Sequence, residues 1–582
     1  MQKSSLFLNK RLILKKLTLK KMTNQYDYII VGAGVAGCVV AARLSENPQT
    51  SVLLVESGKD ISPGSEPSDI LDSYPTSYYN RSYMWPALKV AWRQKELGLT
   101  GFPQGKIMGG GGSLMGMVSF RGVPNDYADW QKTGIEGWGW DDVLPFYRLL
   151  ENDWDFDGSS HGKAGPIPLR RIPVDQWPPL TRMVSEYAKE NNIPFIEDMN
   201  ADFRDGFGRT PIASTQTRRA STALNYLTAD VRARKNLTLT HESHVQKIIF
   251  ENTKAIGVEV LTKDGLVKFY GQEIIMSCGG LFTPAVLLRS GIGNEQQLNA
   301  FGIPIVAHRP GVGQNLQNHI TLFQGFHLKK KGRQSSELRT HPTANLRYSS
   351  GMPGGSPQDL YINILSKTSW SDLGQQIGNL APCLLRPRST GHVSLVSADP
   401  KDYPEIEFNF LKDPADLPRI TAAFIKSVEI LAYPGVRDLM GKPFPVRFSD
   451  RLRELNEFNS KNIKLSARLA TLLDVLPWLS DFVLANLTGD AVNLFELIKD
   501  PERLSEHILK NVAGMFHPVG SCRMGSPDDI MAVTDAQGCV YGVSGLRIID
   551  ASIMPNLMAG NTNIPTIMVA EKISAAILEG KH

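Results

Sequence analysis

Asp27-Tyr28-Ile29-Ile30-Val31-Gly32-Ala33-Gly34-Val35-Ala36-Gly37 runs from a short apolar, β-rich segment into a glycine turn. The segment has the character of a buried parallel strand. A helical stretch from Cys38 to Leu44 follows, then a second apolar run, Ser51-Val52-Leu53-Leu54-Val55, that ends at Glu56. Strand, turn, helix, strand and terminal acid in this order make a complete βαβ dinucleotide fingerprint. Gly32 permits the tight turn, Gly34 lets a pyrophosphate approach the backbone, and Gly37 lets helix and strand pack closely. The helix N-terminus offers free N–H groups and partial positive charge to phosphate. Glu56, some twenty residues beyond the turn, is placed to accept hydrogen bonds from a ribose diol. The fingerprint leaves FAD and NAD open.

Around this core the chain is long enough, at 582 residues, for two domains. A composition of 42% hydrophobic and 21% charged residues is that of an ordinary globular protein. Residues 1–22 hold seven basic side chains and no acid, so removing them from the net charge of +5 leaves −2 for the rest. The body therefore carries no nucleic-acid footprint. The basic leader, 1–24, reads as a disordered or extraneous segment ahead of Met22, or as an amphipathic mitochondrial presequence through Leu12, Leu14, Leu17 and Leu19. Five scattered cysteines show neither metal spacing nor disulfide density, which fits a reducing, cytoplasmic setting and no bound metal. No uncharged apolar run reaches the length of a membrane span.

Further motifs decide the cofactor. Residues 105–113 read GKIMGGGGS, and four consecutive glycines between apolar residues suggest backbone closing on a flat, bulky group. Gly279-Gly280-Leu281-Phe282-Thr283-Pro284 runs on to Arg289 and Gly293, and PGVGQNLQ occupies 310–317. Near the other end stand HPVGSCRMG at 517–525, the strand Gly545 to Asp550, and GNTNIPT at 560–566 leading into a helix over about 566–578. Together these stretches resemble the glucose–methanol–choline (GMC) oxidoreductase family over nearly all of residues 26–580. Residues 126–170 place the resemblance nearest its 5-hydroxymethylfurfural oxidase and aryl-alcohol oxidase-like members, with choline-dehydrogenase-like neighbours.

The resemblance implies FAD and hydride transfer from an alcohol carbon to the flavin. It maps the catalytic pair onto His517 and Asn561. Imidazole can accept the hydroxyl proton near neutral pH, while a carboxamide cannot titrate but can donate to a developing alkoxide. It also implies cofactor contacts at Gly105, Met108, Gly110 and Ser113, at Val245, at Asp550 and Ala551, and from Thr562 to Pro565. Arg289 and His319 fall in the motifs but are assigned to packing or surface roles. Met115 stands where the family usually has Asn, and Asn318 where it usually has Asp. Leu114 occupies the position at which some relatives attach FAD through a His, so the flavin is expected to be non-covalent.

The expected fold is α/β, a Rossmann-like FAD-binding domain (25–160, 205–325 and 505–582) interleaved with a substrate domain (161–204 and 326–504) built on an antiparallel sheet with helices. Alternation through 392–410 suggests strands of that sheet. Residues 465–487 put Leu465, Leu469, Leu472, Leu473 and Leu476 at helical spacing, which reads as a buried helical pair over the active-site mouth or as an interfacial element for apolar substrates or a membrane quinone. The function read from the chain is oxidation of a primary or aryl alcohol to the aldehyde, with O2 or a quinone-like acceptor. The alternatives are a non-redox flavoprotein of hydroxynitrile lyase or photodecarboxylase type, a choline-type dehydrogenase, or a degenerate binding relative.

Overall fold

The computed structural model describes residues 24–446, 450–480, 483–484 and 492–580. The basic leader, apart from Asn24, lies outside them, as do 481–482 and 485–487 of the apolar stretch.

Gln25–Val31 forms the centre of a seven-stranded sheet, flanked in parallel by Val52–Val55 on one side and Gly265–Met276 on the other. Leu237–Thr240 extends the sheet beyond Val52–Val55, and Leu546–Ile548 pairs in parallel with the far half of Gly265–Met276. The first half of that long strand turns away to pair antiparallel with Lys254–Thr262, which in turn pairs with His244–Glu251. Ile29, Ile30 and Val52 to Val55 are essentially inaccessible to water, because helices cover both faces of a parallel sheet and leave no polar side. Each such side chain contributes about 1.5–3 kcal/mol by leaving water.

The helices Val35–Leu44 and Asn563–Leu578 pack together although they come from opposite ends of the chain. Arg43 grips Glu571 with a two-pronged ion pair at 2.7 and 2.8 Å, and the Tyr226 hydroxyl donates to the same carboxylate at 2.6 Å. Bidentate geometry makes this a strong, directional cross-link. It delivers the start of the last helix, with Pro565 in its first turn, to the glycine turn after the first strand.

A second, nine-stranded sheet runs in the order Phe444–Pro445, Gln324–His327, Ile377–Leu384, Leu360–Leu365, Ala344–Tyr348, Gly206–Arg209, Phe195–Ile196. All its pairs are antiparallel except the last. The helix Asp416–Ala432 lies against it through Ile420, Ala423, Phe424, Ser427, Val428 and Leu431, spaced to face one side. Ile320–Thr321 pairs with both Ile377–Leu384 and Ala513–Gly514, so this sheet also recruits short strands from segments otherwise allied to the dinucleotide sheet. The alternation at 392–410 yields a separate two-stranded ribbon, His392–Ser394 with Glu405–Glu407.

The leucine spacing at 465–476 does not give a buried leucine face. Within the helix Ser460–Val475 the buried positions are Asn462, Ser466, Ala470 and Leu473, while Leu472 and Val475, and Trp478 in the turn that follows, are exposed. Ser466 and Ala470 face the segment 373–376, where their polar atoms accept hydrogen bonds from Leu373 and Gln376. That neighbour, absent from any helical-wheel argument, sets the rotation. Among the described residues no helix is long and apolar enough to cross a membrane.

Candidate active site

The two glycine-rich turns are stitched to each other. The Gly109 N–H donates to the Ala33 carbonyl at 2.7 Å, and a Cβ on Gly110, whose φ is +51°, would sit 3.1 Å from the Gly34 Cα. Gly32 has φ +95°, and a Cβ on Gly37 would fall 1.9 Å from the Gly32 carbonyl oxygen, so these positions admit nothing larger. Glu56 braces the first turn by accepting from Ala33 N–H at 2.9 Å and Gly58 N–H at 2.7 Å. Burial raises its carboxyl above the ordinary value against the pull of those N–H groups.

A cleft of about 1620 Å³, its open mouth included, takes in this turn and the segments 516–518 and 561–563. Gly32, Gly34, Glu56, Gly105, Gly110 and Val245 line it, and so do Asp550, Ala551 and Thr562. Asp550 caps the helix Gly279–Arg289, accepting from Gly279 N–H at 2.8 Å and from the Thr283 hydroxyl at 2.6 Å. Gly37 serves close packing, the role its place in the turn suggested, and is not on the cleft wall. Three expected contacts, Met108, Ser113 and Pro565, are not on that wall either, and Pro565 is buried in its helix. Met108 and Ser113 are fully buried because the Ser113 hydroxyl turns inward to the Met108 carbonyl at 2.8 Å. Arg289, assigned to packing or surface, lines the cleft and donates to the Asp402 carbonyl at 2.7 Å.

His517 and Asn561 also line the cleft and meet there, with Asn561 Nδ2 3.2 Å from His517 Nε2. The ladder explains how. Ile320 pairs with Gly514 and Gln317 with Val519, so the loop 515–518 is held against 318–319. Asn318 clamps it from the side, donating to the Met515 carbonyl at 2.6 Å and accepting from the His517 N–H at 3.2 Å. Gly560 lets the Asn561 segment close on the chain at 120–122, since a Cβ there would lie 2.8 Å from the Gly122 nitrogen.

The sequence reading missed His319. It is fully buried, its Nε2 lies 2.9 Å from the Met558 carbonyl and its Nδ1 lies 2.8 Å from His517 Nδ1. A carbonyl only accepts, so the proton of neutral His319 sits on Nε2 and its Nδ1 is an acceptor. His517 therefore donates from Nδ1, and its unprotonated Nε2 accepts from the Asn561 amide at 3.2 Å. Burial lowers His319 to about 4. Burial, and secondarily His319, holds His517 well below the usual imidazole value. Both rings are neutral near pH 7.

The residues present fit a bound dinucleotide with a flat ring. Gly111 and Gly116 line the cleft, and a Cβ on either would meet nothing closer than 4.0 Å, so their bare backbones face open space. Met115 lines the same wall, whereas Leu114 is buried behind it.

Residues 26–321 and 387–570 match the amino- and carboxy-terminal models of the GMC oxidoreductase family. A 5-(hydroxymethyl)furfural oxidase from Methylovorus sp. (strain MP688) is 36% identical over 95% of this chain and 98% of its own length. An oxygen-dependent choline dehydrogenase from Vibrio vulnificus (strain YJ016) is 31% identical over 96% and 95%. The crystal structure of pyridoxine 4-oxidase from Mesorbium loti, 25% identical, superposes with a TM-score of 0.78 over 96% of this chain and all of that one. Matched along both of its halves and by relatives of its own length, the chain belongs to the GMC oxidoreductase family, whose members are FAD-dependent oxidoreductases.

Proposed function

We propose that the protein oxidises an uncharged primary or aryl alcohol to the aldehyde. The observation that carries this reading is the unprotonated Nε2 of His517 at the cleft, accepting from the Asn561 carboxamide at 3.2 Å. FAD, held non-covalently, supplies the hydride acceptor when bound. Gly32, Gly34 and the helix Val35–Leu44 would hold its pyrophosphate, Glu56 its ribose, and Gly110 to Gly112, Met115 and Gly116 its ring.

His517 Nε2 takes the hydroxyl proton of the substrate, which releases the electron density that pushes hydride off the carbon. The imidazolium so formed keeps its Nδ1–H directed at His319, and the neutral His319 acceptor stabilises it. Asn561 donates to the substrate oxygen as charge gathers there, a contribution typically worth roughly 10²–10³ in rate.

The apolar part of the wall supports an uncharged substrate. Phe516, Met115, Met117 and Val118 line the cleft, and its carboxylates, among the described lining residues, are Glu56 and Asp550. Both are already bonded to backbone N–H groups, so neither carboxylate is free to pair with a cationic substrate. At the end of the helix Ser460–Val475, exposed Leu472, Val475 and Trp478 support a peripheral contact with an apolar surface.

An alcohol panel tests the reading. Anaerobic addition of an aryl alcohol should bleach the flavin of the holoenzyme, and a lyase or decarboxylase would leave it oxidised. Peroxide formed on readmitting air would mark O2 as the acceptor. Peroxide-free turnover with a soluble quinone would mark a dehydrogenase.

A further inference from the structure

Arg219 is fully buried directly behind the glycine segment that walls the cleft. Its Nη1 donates to the Gly112 carbonyl at 3.1 Å and the Met115 carbonyl at 2.6 Å, and Nη2 approaches the Leu114 carbonyl at 3.4 Å. Its Nε is buried without an acceptor, and among the described ion pairs no carboxylate reaches it. Burial lowers it to about 10, with the Asp72 charge opposing, so it stays charged at neutral pH. A buried cation with carbonyls for company and no counter-ion is costly, and structures rarely keep one without use.

Peptide planarity gives the arrangement a direction. The Met115 carbonyl is fixed toward Arg219, so the Gly116 N–H of the same peptide points the opposite way. Gly116 lines the cleft, and among the described residues that N–H has no acceptor. A fixed positive charge thus stands behind the wall, and a free donor stands on it.

We propose that Arg219 is a positioning residue for the cofactor, holding the Met115 and Gly112 carbonyls back so that the Gly116 N–H meets the bound ring, and lending its unneutralised charge to the reduced, electron-rich form. The proposal rests on the FAD reading of the cleft. It concerns the chain's own wall and not the proton transfer at His517, which lies on a different segment.

The test compares the holoenzyme with Arg219→Lys and Arg219→Met by equilibrium reduction against a reference dye. Flavin retention on gel filtration is followed in parallel. Arg219→Met should shift the reduction equilibrium toward the oxidised flavin by at least roughly tenfold, or about 30 mV for a two-electron couple. Arg219→Lys keeps the charge but not the fork, so it should stay within about threefold in that equilibrium while losing FAD faster. A flavin-loaded Arg219→Met protein within about threefold of wild type would overturn the proposal. Should that variant not fold, sulfite titration of the wild-type holoenzyme decides. A charge behind the ring stabilises the anionic adduct, so the flavin should bleach, and a flavin inert to sulfite would overturn the proposal. Wild-type protein that takes up no FAD at all would instead defeat the reading beneath it.

Discussion

The imidazoles of His319 and His517 meet Nδ1 to Nδ1 at 2.8 Å with their planes 83° apart. One proton is shared across that contact, and the Met558 carbonyl on the other side of His319 decides which ring owns it. The tautomer of His517 is thereby fixed from a residue that never reaches the cleft wall. Replacing His319 by Phe should lower the rate of flavin reduction on the order of 10²-fold while FAD content is unchanged. His319→Gln, whose carbonyl can accept from His517 Nδ1, should recover part of the loss. Stopped-flow reduction of the three proteins at one alcohol concentration measures this.

Burial depresses both His517 and His319, and an acid limit of activity and of stability is the expected consequence. A base protonated only below its ordinary range stays competent in mild acid, so the reduction rate should hold level through pH 6.5 and fall at lower pH. For stability, the unfolded imidazole near 6.5 takes up a proton before the folded one does. The unfolded state then binds more protons, and stability falls as pH drops below about 6.5. The Tm of His319→Phe should decline less steeply over pH 6.5 to 4 than that of wild type, which paired calorimetric scans can check.

The glycine positions separate folding from cofactor binding. Gly37→Ala places a methyl 1.9 Å from the Gly32 oxygen and should prevent a stable fold. Gly110→Ala, at φ +51° with a methyl 3.1 Å from the Gly34 Cα, should cost about 1–3 kcal/mol of local strain. That protein should fold with weaker FAD binding. Circular dichroism together with flavin fluorescence on dilution distinguishes the two outcomes.

How much of this could be read from the sequence follows from the range of the contacts involved. The βαβ unit is local, so Gly32, Gly34, Gly37 and Glu56 declare themselves by spacing. The pair His517 and Asn561 came through family resemblance, because their meeting depends on contacts remote in sequence, the pairing of Gln317 with Val519 and the approach of Gly560 to Gly122. His319 was passed over because the pairing of Ile320 with Gly514 leaves no local mark. Met108 and Ser113 stand off the cleft wall for a different reason. A glycine run announces close approach but not which neighbouring side chains turn away from it.

Away from the cleft, His161 sits in a buried cluster with Glu151, Asp153 and Asp198, balanced by Arg121 and Arg171. Burial disfavours its charge, but hydrogen bonds to Asp153, Asp198 and Glu151 outweigh that and raise it to about 10. A folded value above the unfolded one gives stability that is complete below about pH 6.5 and lost as pH climbs through about 10. His161→Gln should lower Tm at pH 6 and flatten its decline between pH 7 and 10, as thermal scans across that range would reveal.

Anaerobic reduction of His517→Ala holoenzyme by an alcohol that bleaches the wild-type flavin tests the proton-transfer role most directly. The account predicts a yellow protein with full FAD content whose bleaching is slower by roughly 10²–10⁴-fold. Bleaching at the wild-type rate in that protein would contradict it.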